Sequence, residues 1–426
     1  MRTNKIIEAI HEGRLDERLT EIYADLYIIP YEKKRYEQAL YQYNATFGAD
    51  EVEIFSAPGR SEIGGNHTDH QHGEVLAASI NRDAIAIVKK LNRPRVTILS
   101  DGYASEITVD IDDLDKRKSE EGTTAALIRG VLAKIQINGY SIGGFQAYIT
   151  SDVLIGAGLS SSAAFETLIG TIISYLYNNN EISAVEIAKI GQYAENVYFG
   201  KPCGLMDQMA CSVGSLVHIN FADVKRPKIE QVQLNLDAHG YSLCITDTKG
   251  SHADLTPDYA AIPQEMKQVA EFFGKEVLGE VSKQDILRDI PQIREKAGDR
   301  ALLRAIHFMN ENERVQQEAE ALKQDHFSEF LELVKESGNS SYKYLQNVYT
   351  SRYIRHQNLS VVLAVSDMVL GKQGASRVHG GGFAGTIQAF VPENMVEDYR
   401  EAMEDIFGEG TCQVLKIRKY GGVKVL

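Results

Sequence analysis

A chain of 426 residues with 43% hydrophobic content is long enough to bury two packed cores, so two domains are the default expectation. Its formal net charge of −14 and isoelectric point near 5.3 argue against a nucleic-acid or anionic-membrane surface, so any phosphate site must be local. Cys203, Cys211, Cys244 and Cys412 show no CxxC spacing, which argues against a disulfide framework or a zinc site and fits a reducing cytoplasm. The charged N-terminal segment lacks the apolar core of a signal peptide and no run approaches the length of a membrane span, so a soluble cytoplasmic protein is expected.

In chain order, residues 1–35 read as one or two short amphipathic helices forming a packed extension, with Ile6, Ile7 and Ile10 and then Leu19, Ile22 and Tyr23 at helical spacing. From about Tyr36 the pattern predicts a helix through Phe47, then a strand Val52–Ala57 that stops at Pro58-Gly59 before a loop. Strands follow at 84–90, 95–100 and 106–111, a helix near 125–137, and the strand FQAYITSDVL. A capping box, Ser183-Ala184-Val185-Glu186, opens a helix running to about Tyr198, where Gly200 and Pro202 stop it, with Glu195 near its end. The second half has a strand YSLCITDT and helices around 262–274, 283–288, 299–324, 326–347 and 359–370. It closes with the strand TIQAFV, a helix over 393–407 and CQVLKIRK. This grouping is α+β without internal repeats. The boundary falls where Pro227 and Asp237–Gly240 interrupt the pattern, giving domains 36–230 and 231–426 after the extension.

Four segments carry candidate chemistry. Val153–Glu166 (VLIGAGLSSSAAFE) leaves a strand, turns through Gly156 and Gly158, and opens a helix whose apolar face is Phe165, Leu168, Ile169, Ile172, Ile173 and Leu176. The glycines allow close backbone approach to an anion, while Ser160, Ser161 and Ser162 set hydroxyls and free N–H groups at a helix N-terminus, where the dipole favours negative charge. A Gly/Ser turn with a serine cap is the plainer reading. No P-loop or protein-kinase motif occurs, so a nucleotide held here has no P-loop lysine.

Ser56–Gly73 concentrates Arg60, Glu62, Asn66, His67, Asp69, His70 and His72, readable as a polar loop, a histidine metal cluster or, best, a sugar site with mixed donors and acceptors. Lys201–Gly214 holds Asp207 between Met206 and Met209. It is either a helix cap or, beside Arg60, a base for a hydroxyl proton. Glu195 is either a solvated helical side chain or, with Ser162, the pair that holds a nucleotide-bound magnesium ion. Gly374–Gly385, with three successive glycines after Arg377, is a bulged turn or a loop closing on phosphate.

Taken together, APGR…HTD, GAGLSSSAA and SRVHGGGFAG resemble, in order and spacing, the three motifs of the GHMP small-molecule kinases, in their galactokinase branch. CGLMDQ resembles that family's catalytic aspartate segment and SHADLTPDY a sugar-contacting one, and the resemblance runs from about Tyr36 to the C-terminus. It implies a two-domain α+β fold, a ribosomal protein S5 domain 2-like N-terminal domain and a ferredoxin-like C-terminal domain, with the active site in the cleft between them. It also implies that Arg60, Asn66, His67, Asp69, Gly204 and Tyr259 hold a sugar, with Asp207 as base. ATP phosphates would lie on Gly156, Ala157, Gly158, Leu159, Ser160, Ser161 and Ser162, with Mg2+ on Ser162 and Glu195. The implied reaction, part of galactose metabolism, moves the γ-phosphoryl group of ATP to the anomeric hydroxyl of galactose, driven by positioning and charge stabilisation.

Departures from the family pattern gather at the sugar end. The family motif GRVNLIGEHTDY is here GRSEIGGNHTDH, so Asn66 replaces a glutamate expected to accept from the sugar O6, and His70 replaces a tyrosine. Leu154 and His379 are further replacements. An amide in place of the carboxylate weakens such a bond by about 1 kcal/mol or more, yet tolerates an anion, which opens a C6-modified substrate such as galacturonate. A non-catalytic sugar- and nucleotide-binding regulator is a second alternative, and a hydrolase with metal on His67, His70 and His72 a third.

Overall fold

Two antiparallel-rich sheets carry the molecule. A computed structural model describes residues 1–153, 158–250 and 255–426, so Leu154, Gly156 and Ala157 of the serine turn lie outside the described residues. The chain begins with α1 (Thr3–His11), α2 (Asp16–Tyr23) and α3 (Ile29–Phe47). The strands β1 (Glu53–Gly64), β2 (Glu74–Lys90), β3 (Arg95–Ser100) and β4 (Ile107–Asp110) follow, then α4 (Thr124–Ile137), β5 (Phe145–Ser151), α5 (Ser161–Tyr177) and α6 (Ala184–Tyr193). A π-helical turn at Ala194–Phe199 leads to α7 (Met206–Val213), β6 (Leu216–Asn220) and β7 (Lys228–Val232). The second half comprises α8 (Leu236–His239), β8 (Tyr241–Asp247), α9 (Thr256–Phe272), α10 (Lys283–Arg288), α11 (Ile290–Lys296), α12 (Asp299–Lys323) and α13 (Phe327–Ser340). Beyond them lie α14 (Asn358–Leu370), β9 (Ala375–His379), β10 (Thr386–Pro392), α15 (Val396–Phe407), β11 (Cys412–Leu415) and β12 (Val423–Lys424).

The first sheet has the order β12-β1-β2-β5-β3-β4, with β6 and then β7 added along the first half of β2. Only β3 and β5 run parallel. One face buries Phe55, Ala86, Val88 and Ala147 under Ile128, Leu132, Leu168, Ile172 and Ile190 of α4, α5 and α6. The other face buries Ile54, Ile85 and Ile87 under Ile6, Ile10, Leu19, Ile22 and Tyr36 of α1, α2 and α3. The N-terminal extension therefore packs on the sheet together with the rest of α3, and burying so much apolar side-chain surface stabilises the fold. The helix expected from Tyr36 starts at Ile29, with Pro30 in its first turn, where a missing N–H costs nothing. Beneath it lies a buried ion cluster: Arg35 binds Glu32 at 2.8 Å and Asp83 at 2.6 Å, and Arg418 binds Asp83 at 3.0 Å.

The second sheet, β11-β8-β10-β9, is antiparallel throughout. Val362, Tyr399 and Met403 of α14 and α15 cover one face, and Phe330 of α13 meets Phe390 on the other.

Two expectations from sequence are corrected. The strand at Val52 does not end at Pro58-Gly59: β1 continues to Gly64 and absorbs Pro58 in a register shift between Pro58 and Arg60, a bulge where no ladder N–H is lost. The closing segment, placed with the domain 231–426, divides between the sheets: β11 pairs with β8, whereas Ile417 bridges Ile80 and β12 pairs with β1. The tail satisfies the open edge of β1.

Candidate active site

The bulge in β1 aims Arg60 across the first turns of α5 and α7. Arg60 Nε donates to Asp207 Oδ1 at 2.8 Å and Nη2 to Oδ2 at 2.9 Å, a bidentate pair between residues 147 positions apart. The guanidinium is buried and the carboxylate half-buried. Burial works against the Arg60 charge, but Asp207 outweighs it and holds the guanidinium above its ordinary range. Arg60 Nη1 also donates to the Gly158 carbonyl, and its backbone N–H to that of Leu159 at 3.1 Å. Such closeness requires Gly59, since a Cβ there would lie 2.7 Å from the Leu159 oxygen. Gly158 and Ser160 take φ of +69° and +59°. Ser160 does not cap α5 but donates its hydroxyl to Asp207. The serine turn and the aspartate are thus one hydrogen-bonded unit.

In the first turn of α5, Ser162 donates to Glu195 Oε1 at 3.0 Å. The π-helical turn carries Glu195, a device common where a helix must present a functional side chain. Gln208, next to Asp207, donates to Glu195 at 2.7 Å and to Glu166 at 3.1 Å, and Lys201 reaches Glu195 at 3.2 Å. Burial, with the Glu195 charge nearby, pushes Glu166 well above the usual carboxyl range. Gln208 and Lys201 carried no signal in the sequence, since their roles arise only from this convergence.

Among the residues expected to hold a sugar, Asp69 Oδ1 accepts from the His70 backbone N–H at 2.9 Å and from its Nδ1 at 2.8 Å. Burial raises Asp69, yet His70 outweighs it and holds the carboxyl below its ordinary value. Gly204 lies against the other oxygen, where a Cβ would sit 1.7 Å from Oδ2. Burial and His70 lower His67 to about 3, so its ring is neutral; Nε2 meets the Gly381 carbonyl at 3.1 Å, which makes Nε2 the donor and leaves Nδ1 an acceptor. The Tyr259 hydroxyl donates to the Gly382 carbonyl at 2.6 Å, and its ring packs edge-on against Phe383. Among the described residues no group of three or more His, Cys, Asp or Glu is arranged to hold a metal ion.

Asn66 is placed differently from expectation. It is fully buried; its amide N–H groups go to Glu62 Oε1 at 2.8 Å and the Gly380 carbonyl at 2.7 Å, and its oxygen accepts from Asn347 at 2.7 Å. The side chain faces the core rather than a cleft. It has no N–H left for a sugar carboxylate, and the argument for a C6 acid falls with it. Glu62 in turn pairs with Arg377 at 2.7 Å. Glu62 stood in the sequence only as one of the polar residues of Ser56–Gly73, although the family motif held a signal. The family has Asn where Glu62 stands and Glu where Asn66 stands, so an amide and a carboxylate have exchanged places.

The third glycine-rich segment does not present Arg377 to a phosphate. Arg377 is fully buried, and its Nη1 donates to the Ile63 carbonyl at 2.6 Å. His379 accepts the Glu62 N–H at 3.1 Å and lies beside Gly158, where an added Cβ would come within 3.2 Å of its ring. The segment braces β1 and the serine turn together.

Residues 126–215 match the GHMP kinases N terminal domain, and residues 41–90 the galactokinase galactose-binding signature. The galactokinase of Glaesserella parasuis serovar 5 is 31% identical over 374 residues, which cover 87% of this chain and 93% of that protein. Lactococcus lactis galactokinase complexed with galactose aligns with a TM-score of 0.77 at 25% identity, over 90% of this chain and 98% of that one. Methanococcus jannaschii mevalonate kinase shares the fold at a TM-score of 0.60 and 14% identity, over 86% and 98%. Identity at the level of the first of these, along nearly the full length of both proteins, reflects more than a common fold, and the chain belongs to the galactokinase family of GHMP kinases.

Proposed function

We propose that this chain transfers the γ-phosphoryl group of ATP to the anomeric hydroxyl of galactose, giving α-D-galactose 1-phosphate and ADP. The observation that carries the reading is the Arg60–Asp207 pair, hydrogen-bonded to the turn that opens α5. Asp207 Oδ1 accepts only from Arg60 among the described residues, which leaves it a lone pair for the C1 hydroxyl proton. The proton passes to Asp207, the C1 oxygen forms the new bond to the γ-phosphorus, and the bond to the β–γ bridging oxygen breaks as ADP departs. Arg60 fixes the carboxylate and offsets charge on the transferred group, helped by the N-terminal N–H groups of α5. Asp69, His67, Gly204 and Tyr259 line the sugar side of this reading. Asn66 acts from behind by tying the sugar loop to Gly380.

Ser162 and Glu195 offer two hard oxygen donors 3.0 Å apart, a donor set that suits magnesium. Held there with phosphate oxygens, magnesium would supply charge neutralisation of the nucleotide tail. No helix among the described residues is long and apolar enough to cross a membrane.

The test is a panel of hexoses and uronic acids with ATP and Mg2+, read by ADP release. Galactose should dominate in kcat/KM. Asp207→Asn should lower kcat by about 10²–10⁴-fold with the fold preserved. Sugar binding without ADP release in the unmodified protein would overturn the kinase reading in favour of a regulator.

A further inference from the structure

The Glu195–Lys201 contact has no part in the phosphoryl transfer just described. Glu195 is 3% exposed, whereas the Lys201 side chain is 63% exposed and reaches in from solvent to place Nζ 3.2 Å from Oε1. That same oxygen is 3.0 Å from Ser162 Oγ, so ammonium, hydroxyl and carboxylate share one corner. The backbone directs the lysine there. Gly200 closes the π-helical turn with φ +87°, and the N–H groups of Gly200 and Lys201 both donate to the Glu195 carbonyl, at 3.0 and 3.1 Å. The chain therefore doubles back onto the residue whose charge it neutralises.

Three carboxyl groups, on Glu166, Glu195 and Asp207, gather behind the serine turn, all of them felt by Lys201 or by one another. Asp207 is paired with Arg60, and Glu166 meets the Gln208 amide. Lys201 supplies the cation at Glu195. A carboxylate this buried is costly without a cation, so the nucleotide-free protein needs one at Oε1. A divalent ion and an ammonium group cannot both fill the same corner beside Ser162. Lysine suits a temporary occupant: its ammonium is strongly hydrated, its stem is flexible, and here most of it already lies in solvent.

We propose that Lys201 is the exchangeable counter-ion of the Ser162–Glu195 corner, neutralising Glu195 in the nucleotide-free protein and yielding its place when a divalent cation arrives. The inference rests on the assignment of a divalent cation to that corner made above. It makes Lys201 a competitor that keeps free metal out until phosphate oxygens add their own attraction.

The experiment titrates Mn2+ into nucleotide-free protein, with the free ion read by electron paramagnetic resonance. Lys201→Ala should bind Mn2+ at least about tenfold more tightly than the unmodified protein, ~1.4 kcal/mol. Lys201→Arg keeps the charge and should bind as weakly as the unmodified protein. Adding Glu195→Gln to Lys201→Ala should abolish the gain. Equal Mn2+ affinity in Lys201→Ala and the unmodified protein overturns the inference, and so does a gain that survives Glu195→Gln. A parallel titration with Mn2+–ADP separates the two readings. If Glu195→Gln binds it as tightly as the unmodified protein, the cation corner itself is misassigned. If Glu195→Gln weakens it while Lys201→Ala leaves free Mn2+ binding unchanged, only the role of Lys201 fails.

Discussion

Gly204→Ala tests the proposed sugar site with the smallest possible change. The new methyl group would start 1.7 Å from Asp69 Oδ2, so the carboxylate has to retreat by about 1.7 Å to reach ordinary contact at 3.4 Å. It cannot do so freely, because its other oxygen is held at 2.8 and 2.9 Å by the ring and backbone of His70. Gly204 itself has no left-handed φ, so alanine is tolerated by the backbone and the strain falls on Asp69. A displaced carboxylate loses a charge-assisted hydrogen bond to a sugar hydroxyl, worth about 1.5–3 kcal/mol, which corresponds to a roughly ten- to hundredfold loss of kcat/KM for galactose. The KM for ATP should stay within about twofold, since the serine turn is untouched. Steady-state kinetics at varied galactose, with thermal unfolding to check the fold, provides the measurement. An unchanged KM for galactose would refute the placement of Asp69 at the sugar.

Two further outcomes follow from buried charge. Asn66→Glu restores the residue found in the family motif, but replaces the amide that donates to Glu62 with a second buried carboxylate and removes the donor to Gly380. It should destabilise the protein by at least ~2 kcal/mol in urea unfolding, and Glu62→Asn added to it should recover at least ~1 kcal/mol; strictly additive effects would contradict the coupling. Glu32 is raised to about 7 by burial, with Arg35 opposing and Asp83 and Asp152 reinforcing the shift. Because its folded pKa exceeds the unfolded one, its stabilising term is complete below about pH 4.5 and is lost as the pH rises towards 7. The stability difference between the unmodified protein and Glu32→Gln should therefore fall by ~3 kcal/mol from pH 4.5 to 7. A constant difference across that range would show that Glu32 is ionised throughout.

Local stretches were legible because their conformation depends on near neighbours. The serine turn, the Ser183 cap that accepts from the Glu186 N–H, and the apolar face of α5 each follow from backbone preference and helical spacing over a few residues. The family motifs extended this reach by pointing to Asp207, Arg60, Ser162 and Glu195, which the fold does bring together in two contacting pairs. At Asn66 the motif did not fix the surroundings of the side chain. Asn66 was expected at the sugar, yet whether an amide turns outward or into the core depends on the nearby Glu62 and on Asn347 and Gly380, both hundreds of positions away along the chain.

The sequence by itself therefore determined the α+β class and the glycine-serine turn ahead of α5, which follow from short-range geometry, and its motifs supplied Asp207 as the candidate base. Only the tertiary structure decided that β1 runs on through Pro58, that the C-terminal tail pairs with β1, that Asn66 is locked inside, and that Lys201 folds back onto Glu195. The physical reason is that a hydrogen bond or an ion pair is a property of two partners in space. A single residue fixes what it can offer, but packing fixes what it meets.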